Sequence, residues 1–215
     1  MADQSLRELF LLDPDVVYLN HGSFGACPAP VFERYQVWQR QLERQPVAFL
    51  DHDRGYGRWM AETRDTLAAE VGARPDDIVG ATNATHALNI VARSLPLKPG
   101  DEILTTDHEY AALEKTWAFV AARTGARVVE QKVPLPLDSA AAFNKAMLGA
   151  MTDRTRVLFL SHITSPTALV FAIDDLVKEA RRRGVWSVID GAHAPGHIPL
   201  ELDALGADFY AGNCH

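Results

Sequence analysis

The sequence has few of the features that direct a protein to a membrane or to a disulfide-stabilised fold. Its 215 residues include two cysteines, Cys27 and Cys214, with neither a CxxC spacing nor a Cys/His ligand pattern, so neither a disulfide framework nor a zinc knuckle is indicated. No window approaches the roughly 20 apolar residues of a membrane span. The start, MADQSLRELF, has no basic leader and no signal-type apolar core. We therefore expect two free thiols, no membrane partner and a cytoplasmic protein.

Positive charge is also scarce. The chain has 21 Lys+Arg against 28 Asp+Glu, a formal net charge of −7, and its one basic run is Arg181, Arg182 and Arg183. A dispersed set of cations gives no field that would hold a nucleic acid, so we expect no nucleic-acid partner. Hydrophobic residues make up 47% of the sequence, which suits one medium globular domain or most of a larger one.

Short apolar runs alternate with helical patterns through most of the chain. Predicted strands lie at 78–82, 102–105, 127–132, 157–161, 186–190 and 209–212, and predicted helices between them at 84–95, 110–123, 138–151 and 173–183. This alternation is typical of an α/β fold, in which a mainly parallel sheet is covered by helices on both faces. Ligands of such sheets bind beyond the carboxyl ends of the strands.

The first 72 residues have a different organisation. A β-like run at 16–19 leads into the loop NHGSFG. Apolar residues then recur at helical spacing over 31–45, where Pro46 stops the pattern, and over 57–71, which Gly72 closes. We expect a strand, a loop and two amphipathic helices in this part.

Two of the predicted strand ends carry polar residues with two interpretations each. The segment 83–89, NATHALN, enters a helix and is either an ordinary N-cap or an anion site built from backbone N–H groups and the Thr85 hydroxyl. The segment TDHEY at 106–110 is either a structural loop or part of a site. The sequence alone leaves both alternatives open.

Asp190 is the residue that most strongly indicates a site. It ends an apolar strand, where an ionised carboxylate is costly unless a cation pairs with it. His193 and His197 follow at a spacing of four and allow a metal site, but Pro195 and Gly196 oppose the helix that would align their side chains. A cofactor with a ring cation and a phosphate uses all the strand ends together, so we favour it and expect no metal.

At these residues the sequence resembles a known family. DGAHAPGH at 190–197 and ADFYAGNCH at 207–215 resemble the segments of class V aminotransferases that lead directly into a His-Lys pair whose lysine carries pyridoxal 5'-phosphate (PLP). LNHGSFG, ATNATHALN, DHEY and SHITSPTAL occur in the family's order and are most similar to isopenicillin N epimerase-like proteins. The resemblance implies the large domain of a PLP-dependent transferase of fold type I, an amino-acid-type substrate and a homodimer.

The resemblance also implies site residues. Asp190 matches the carboxylate that faces the pyridine nitrogen, and His193 matches the residue near the cofactor's 3-hydroxyl; these two are the implied catalytic residues. Ala84, Thr85, Asn213 and His215 fall where the family binds the phosphate. Tyr110 matches the ring-stacking position, with His108 as the alternative, and Ser165 falls where cysteine desulfurases have an asparagine near the ring.

The N-terminal loop has a functional and a structural interpretation. Asn20, His21 and Ser23 match a loop that shapes substrate binding in the family, whereas a glycine-rich turn would use Asn20 and His21 only for backbone groups. The implied domains are residues 1–30, an N-terminal segment of the small domain with the substrate loop, and residues 31–215, a PLP-binding large domain that is incomplete at its carboxyl end.

The sequence printed stops one position before the expected lysine. We expect that lysine to follow His215, with a break in the record at a PLP-modified residue. The predicted activity is a PLP-dependent reaction that begins with removal of a Cα proton, as in an epimerase or racemase, a C-S lyase, a desulfurase or a transaminase. The rival hypothesis is a noncatalytic PLP-binding or dimerisation module that lacks the lysine.

Overall fold

The computed structural model describes residues 4–22 and 25–214. The chain divides into two compact units, one ending at Leu67 and the other covering Ala68–Cys214. The domain division expected from the sequence, at residue 30, stays a prediction. No helix in the described ranges is long and apolar enough to cross a membrane.

The first unit is helical. Its elements are α1 (Gln4–Arg7), α2 (Ala29–Arg44), α3 (Pro46–Leu50), a π-helical turn (His52–Tyr56) and the start of α4 (Gly57–Val71). The predicted strand at 16–19 is wrong, because Val17 and Leu19 are 81% and 87% exposed and no described strand pairs with them. An apolar alternation forms a strand only where a neighbouring backbone completes its hydrogen bonds.

The second unit contains a parallel sheet. Its elements, in chain order, are a 3₁₀ turn (Pro75–Asp77), α5 (Ala84–Ser94), β1 (Glu102–Thr106), α6 (Ala111–Thr124), β2 (Arg127–Gln131), α7 (Ala140–Ala150), β3 (Thr155–Ser161), α8 (Asp174–Arg183), β4 (Trp186–Gly191), α9 (Leu202–Leu205) and β5 (Phe209–Gly212). The strand order is β2-β1-β3-β4-β5, and every neighbouring pair is parallel. Five of the six strands predicted for this part are therefore present.

The sixth predicted strand, at 78–82, is wrong. The segment has no strand partner among the described residues, and Val79 is 85% exposed. The Ile78 N–H is bonded to the Pro75 carbonyl of the preceding turn at 3.2 Å. The segment is an irregular lead into α5, whose N-cap is Asn83.

Helices cover both faces of the sheet. On one face Leu104, Leu158, Leu160 and Ile189 pack with α7 and α8. On the other, alternate residues of the same strands pack with α5 and α6; they are Ile103, Val157, Phe159 and Val188. The near-continuous apolar runs of the strands follow from this burial on two faces, and the carboxyl edge of the sheet is left for polar side chains.

Candidate active site

Asp190 lies at the carboxyl end of β4, the strand between β3 and β5. It is 5% exposed, and its Oδ1 accepts a hydrogen bond from the Ala192 N–H at 3.0 Å. Burial raises the pKa of the Asp190 carboxyl to about 6. No cation of the described chain forms an ion pair with it, so the cost of ionising this buried carboxyl is not offset by a charge of the described chain.

A second buried carboxyl group, that of Glu109, joins the ends of β1 and β3. The Thr106 hydroxyl donates to Glu109 Oε1 at 2.6 Å. The backbone N–H and the hydroxyl of Ser161 donate to Oε2 at 2.8 and 2.6 Å. Ser161 lies directly beside Asp190 in the β3–β4 register. Glu109 was assigned no role from the sequence; the signal for it was its place in the polar TDHEY segment, three residues after the end of β1.

The start of α5 meets the end of β5. Asn213 Oδ1 accepts a hydrogen bond from the Ala84 N–H at 2.9 Å, and Asn83 Oδ1 caps the helix by accepting from the His86 N–H at 2.8 Å. These two N–H groups are therefore engaged, whereas the N–H and hydroxyl of Thr85 have no hydrogen-bond partner in the described chain. Ala84 and Thr85 are the two residues of α5 predicted to contact a phosphate. Of these, Thr85 is the one whose hydrogen-bond donors are available to an anion.

Tyr110 and His108, the two candidates for ring stacking, occupy different environments. Tyr110 is the N-cap residue of α6 and is 45% exposed, while Leu113 and Trp117 of the same helix are each 1% exposed in the core. Tyr110 is therefore not part of the buried face of α6, although its helical spacing from Leu113 and Trp117 would allow this. His108 is buried, with its Nε2 3.0 Å from the Val133 carbonyl oxygen and its Nδ1 3.0 Å from Thr167 Oγ1.

A pair of polar rings joins β3 and β5 across β4. His162 Nδ1 and the Tyr210 hydroxyl are 2.9 Å apart, and burial raises the pKa of the Tyr210 hydroxyl and lowers that of His162. The Tyr210 ring lies against Gly191, where an added Cβ would come within 2.1 Å of it. A side chain at position 191 would therefore have to displace the Tyr210 ring. Neither ring was assigned a role from the sequence.

The loop after β3 contains Ser165, which is exposed. Thr164 holds this loop together: its hydroxyl oxygen accepts from the Leu169 N–H at 2.9 Å and lies 2.8 Å from Thr167 Oγ1. Ala168 has φ of +53°, a backbone conformation that non-glycine residues rarely adopt. The loop is thus a tightly bonded turn beside the site.

His193 and His197 lie in the loop after β4. His193 is half-buried, and its carbonyl oxygen is 2.5 Å from His197 Nδ1. That ring nitrogen is occupied by a backbone contact. Within residues 4–22 and 25–214 there is no cluster of three or more His, Cys, Asp or Glu side chains that could hold a metal ion.

The predicted substrate residues belong to the first unit. His21 packs between the rings of Phe10 and Tyr18, at centroid distances of 5.3 and 4.8 Å, and its Nδ1 accepts from the Ala26 N–H at 3.4 Å. Asn20 is exposed, and its carbonyl accepts from the Tyr18 hydroxyl. Ser23 and His215, the other two residues assigned from the resemblance, lie outside the described residues.

The sequence and the fold both match known proteins. Residues 18–215 match the family model "Aminotransferase class-V". Isopenicillin N epimerase of Amycolatopsis lactamdurans is 45% identical over 97% of this chain and 52% of its own length; that of Streptomyces clavuligerus is 41% identical over 99% and 53%. Putative L-cysteine desulfhydrase 2 of Oryza sativa subsp. japonica is 34% identical over 94% and 45%.

Solved structures agree with this assignment. A mutant of C-DES with glycine covalently linked to its PLP cofactor has a TM-score of 0.87 at 27% identity, over 97% of this chain and 55% of that one. The complex of the cystine C-S lyase C-DES with cysteine persulfide has a TM-score of 0.85 at 27% identity, over 94% and 54%. The predicted α/β fold, that of PLP-dependent transferases, is confirmed.

The chain belongs to the class V aminotransferase family. It spans about half the length of the curated relatives it matches. Those relatives include isopenicillin N epimerases and L-cysteine desulfhydrases, so the family match is compatible with more than one reaction.

Proposed function

We propose that this protein is a PLP-dependent enzyme that removes the Cα proton of an amino acid or amino-acid-derived substrate. One observation carries the proposal: Asp190 is a buried carboxylate at the carboxyl edge of a parallel sheet, with one hydrogen bond and no cation of the described chain beside it. Family membership and the PLP cofactor of the similar C-DES structure support the choice of cofactor.

The residues at this edge fit the groups that PLP presents. Asp190 suits a protonated ring nitrogen, since a positive charge offsets the cost of ionising a buried carboxylate. Thr85 offers an N–H and a hydroxyl to the phosphate at the start of α5, where Ala84 and Asn213 are bonded to each other. Tyr110, exposed at the start of α6, suits ring stacking. His193, Ser165 and His215 complete the proposed cofactor contacts.

Asp190 has a further role in the chemistry. When bound, PLP supplies an electron sink for the electron pair that a broken Cα–H bond leaves behind. Asp190 keeps a proton on the ring nitrogen, because the ionised carboxylate stabilises the positive charge there. The burial of Asp190 excludes water, which strengthens this interaction. We assign Asp190 and His193 as the catalytic residues, and Asn20 and His21 as substrate-binding residues.

Epimerisation, C-S bond cleavage, desulfuration and transamination all begin with the same proton removal. Two relatives named isopenicillin N epimerase are 45% and 41% identical to this chain, and one named L-cysteine desulfhydrase is 34% identical. These identities favour an epimerase over a lyase as the first activity to assay. We further propose a cytoplasmic homodimer whose large domain is residues 31–215 and whose small domain includes residues 1–30.

Absorbance and proton exchange test this function. The intact protein should absorb at about 420 nm when loaded with PLP, and borohydride should abolish the band as the cofactor becomes covalently fixed. In deuterated water it should exchange the Cα proton of a substrate amino acid. Asp190→Ala should lower that exchange about 100-fold or more while binding PLP detectably. A protein that takes up no PLP would disprove the proposal, and PLP uptake without exchange would favour a noncatalytic module.

A further inference from the structure

The described part of the site contains two buried carboxyl groups, and the proposed function uses one of them. Glu109 is 4% exposed and Asp190 is 5% exposed. They lie on either side of Ser161, which bonds Glu109 through its N–H and hydroxyl and pairs with Asp190 in the sheet. The adjacent His162 N–H donates to the Asp190 carbonyl at 2.8 Å. Glu109 is therefore coupled to the strand end that bears Asp190.

The bonding of Glu109 is costly to maintain and serves no helix cap. Its two oxygens accept three hydrogen bonds, from Thr106, from the Ser161 N–H and from the Ser161 hydroxyl. An apolar residue could fill this position without desolvating a charge. A carboxyl group so enclosed does not reach a substrate, so its effect on chemistry must pass through its neighbours.

We propose that Glu109 is a positioning residue that joins the ends of β1 and β3 beside Asp190 and supplies the second titrating charge that sets how firmly Asp190 holds a cofactor's ring nitrogen. This inference rests on the proposed function for the identity of the ligand. The link between the two carboxyl groups stands on the geometry of the chain itself.

The electrostatics of the pair give the proposal its direction. Burial raises the pKa of Glu109 to about 7; the hydrogen bonds from Ser161 and Thr106 oppose the rise, and the charge of Asp190 adds to it. Asp190, with a pKa of about 6, loses its proton first. Glu109 then ionises in the presence of that negative charge, and the two groups titrate as a coupled pair.

Other titratable groups near the two carboxyl groups are bonded to partners of their own. His162 and Tyr210 bond each other next to Asp190, and the charge of Asp190 contributes to the raised pKa of Tyr210. The His108 ring is bonded to the Thr167 hydroxyl and the Val133 carbonyl, and not to the Glu109 carboxyl. Within the described chain, Asp190 is thus the charged neighbour that acts on Glu109.

The first experiment needs no cofactor. In the intact apo-protein labelled with carbon-13 at glutamate carboxyl groups, the Glu109 signal is identified by its loss in Glu109→Gln. It should titrate with a midpoint near 7. Asp190→Asn should lower that midpoint by about half a unit or more, because the repelling charge is gone. Thr106→Val, which keeps both carboxyl groups and removes one donor, should raise it.

The second experiment measures the Kd of PLP between pH 5.5 and 8.5. Glu109→Gln can still accept the Ser161 bonds but carries no charge. The ratio of its Kd to that of the wild type should increase about threefold or more as the pH rises through about 7, since only the wild type gains a charge that favours a protonated ring. Asp107→Asn is the matched control, because Asp107 accepts from the Val133 N–H at 2.8 Å and is not coupled to Asp190. The ratio of its Kd to that of the wild type should not change with pH.

The outcomes separate the two claims. A Glu109 midpoint below about 5, or one that Asp190→Asn leaves unchanged, would overturn the coupling. Parallel Kd curves for the wild type and Glu109→Gln would overturn the role in holding the cofactor. If no PLP binds at any pH while the apo-protein titrates as expected, the proposed function fails and the coupling of the carboxyl groups stands.

Discussion

The Asn213 side chain and the Ala84 backbone N–H, 129 residues apart in sequence, form a hydrogen bond of 2.9 Å. The bond ties the end of β5 to the first residue of α5, and Ala84 is 2% exposed there. One amide side chain thereby fixes the spacing between two elements of the proposed phosphate site. The N–H and hydroxyl of Thr85, the next residue, have no partner in the described chain and are available to the proposed phosphate.

Asn213→Ala should loosen this junction. The Ala84 N–H would lose its partner in a buried place, so we expect the free energy of unfolding to fall by about 1 to 2 kcal/mol. The Kd of PLP should rise several-fold as the two elements lose their registration. Urea denaturation and PLP titration measure the two effects. Asn89→Ala, which removes the side chain's bonds to Thr85 of the same helix and to Thr116 of α6, controls for helix stability. A Kd equal to that of the wild type in Asn213→Ala would contradict the role.

Asp190 should destabilise the apo-protein at neutral and alkaline pH. Its folded-state pKa of about 6 lies above the ordinary aspartate value of 3.8, so the folded state holds the proton more strongly than the unfolded state does. Stability is therefore lost as the pH rises from about 4 to about 6. At pH 8, apo Asp190→Asn should be about 2 to 3 kcal/mol more stable than the wild type, with the two equal near pH 4.

Denaturant curves of the two apo-proteins at several pH values measure this difference. Asp208→Asn is the matched control near the opposite end of β4, because Asp208 accepts hydrogen bonds from the Ser187 N–H and hydroxyl at 2.8 Å each. That variant should be less stable than the wild type at pH 8. If apo Asp190→Asn were also less stable there, Asp190 would have a partner that the described structure does not contain.

Tyr110→Ala should affect cofactor affinity more than apo-protein stability. Tyr110 is 45% exposed at the start of α6, so its loss leaves little cavity. If it stacks on the cofactor, its removal should cost about 1 kcal/mol of PLP affinity, whereas Tyr110→Phe should be nearly silent. Leu113→Ala, in the core of the same helix, should lower apo stability by about 3 kcal/mol. Thermal melts with and without PLP give the comparison, and equal shifts for Tyr110→Ala would return His108 as the stacking candidate.

Glu102 should stabilise the amino edge of the sheet, opposite the site. Its side chain is fully buried and accepts from Arg127 and Arg154 at 2.6 and 2.9 Å. Burial acts to raise the pKa of Glu102, but hydrogen bonds from Thr152, Arg127 and Arg154 lower it to about 2. The stabilisation of the folded state by the ionised Glu102 carboxylate is present above about pH 4.5 and is lost as the pH falls towards 2.

Glu102→Gln should therefore lower the free energy of unfolding at pH 7. Both arginine side chains are more than half exposed, at 58% and 63%, so solvent screens the pair and we expect a loss of about 1 to 2 kcal/mol. The difference from the wild type should shrink as the pH falls below about 4. A constant difference between pH 3 and pH 7 would show that packing, and not charge, stabilises this edge.

The sequence predicted the elements of the sheet because their pattern is local. Five apolar runs became β1 to β5 within two residues of the expected bounds, and α5 to α8 followed the helical spacing just as closely. The runs at 16–19 and 78–82 carry the same local pattern without becoming strands. A strand depends on its neighbour's backbone, and no property of the run itself reveals whether a neighbour is there.

Asp190 could be recognised from the sequence alone, since a carboxylate at the end of a buried strand needs a reason wherever it occurs. Family resemblance then supplied its expected partner. The tertiary structure decided the rest: that Asn213 bonds Ala84, that Glu109 bonds Ser161, and that His108 is enclosed while Tyr110 is exposed. The hydrogen bonds of Asn213, Glu109 and His108 join residues that are 25 to 129 positions apart in sequence. Such residues come into contact only when the chain closes into a sheet whose strand ends meet at one edge.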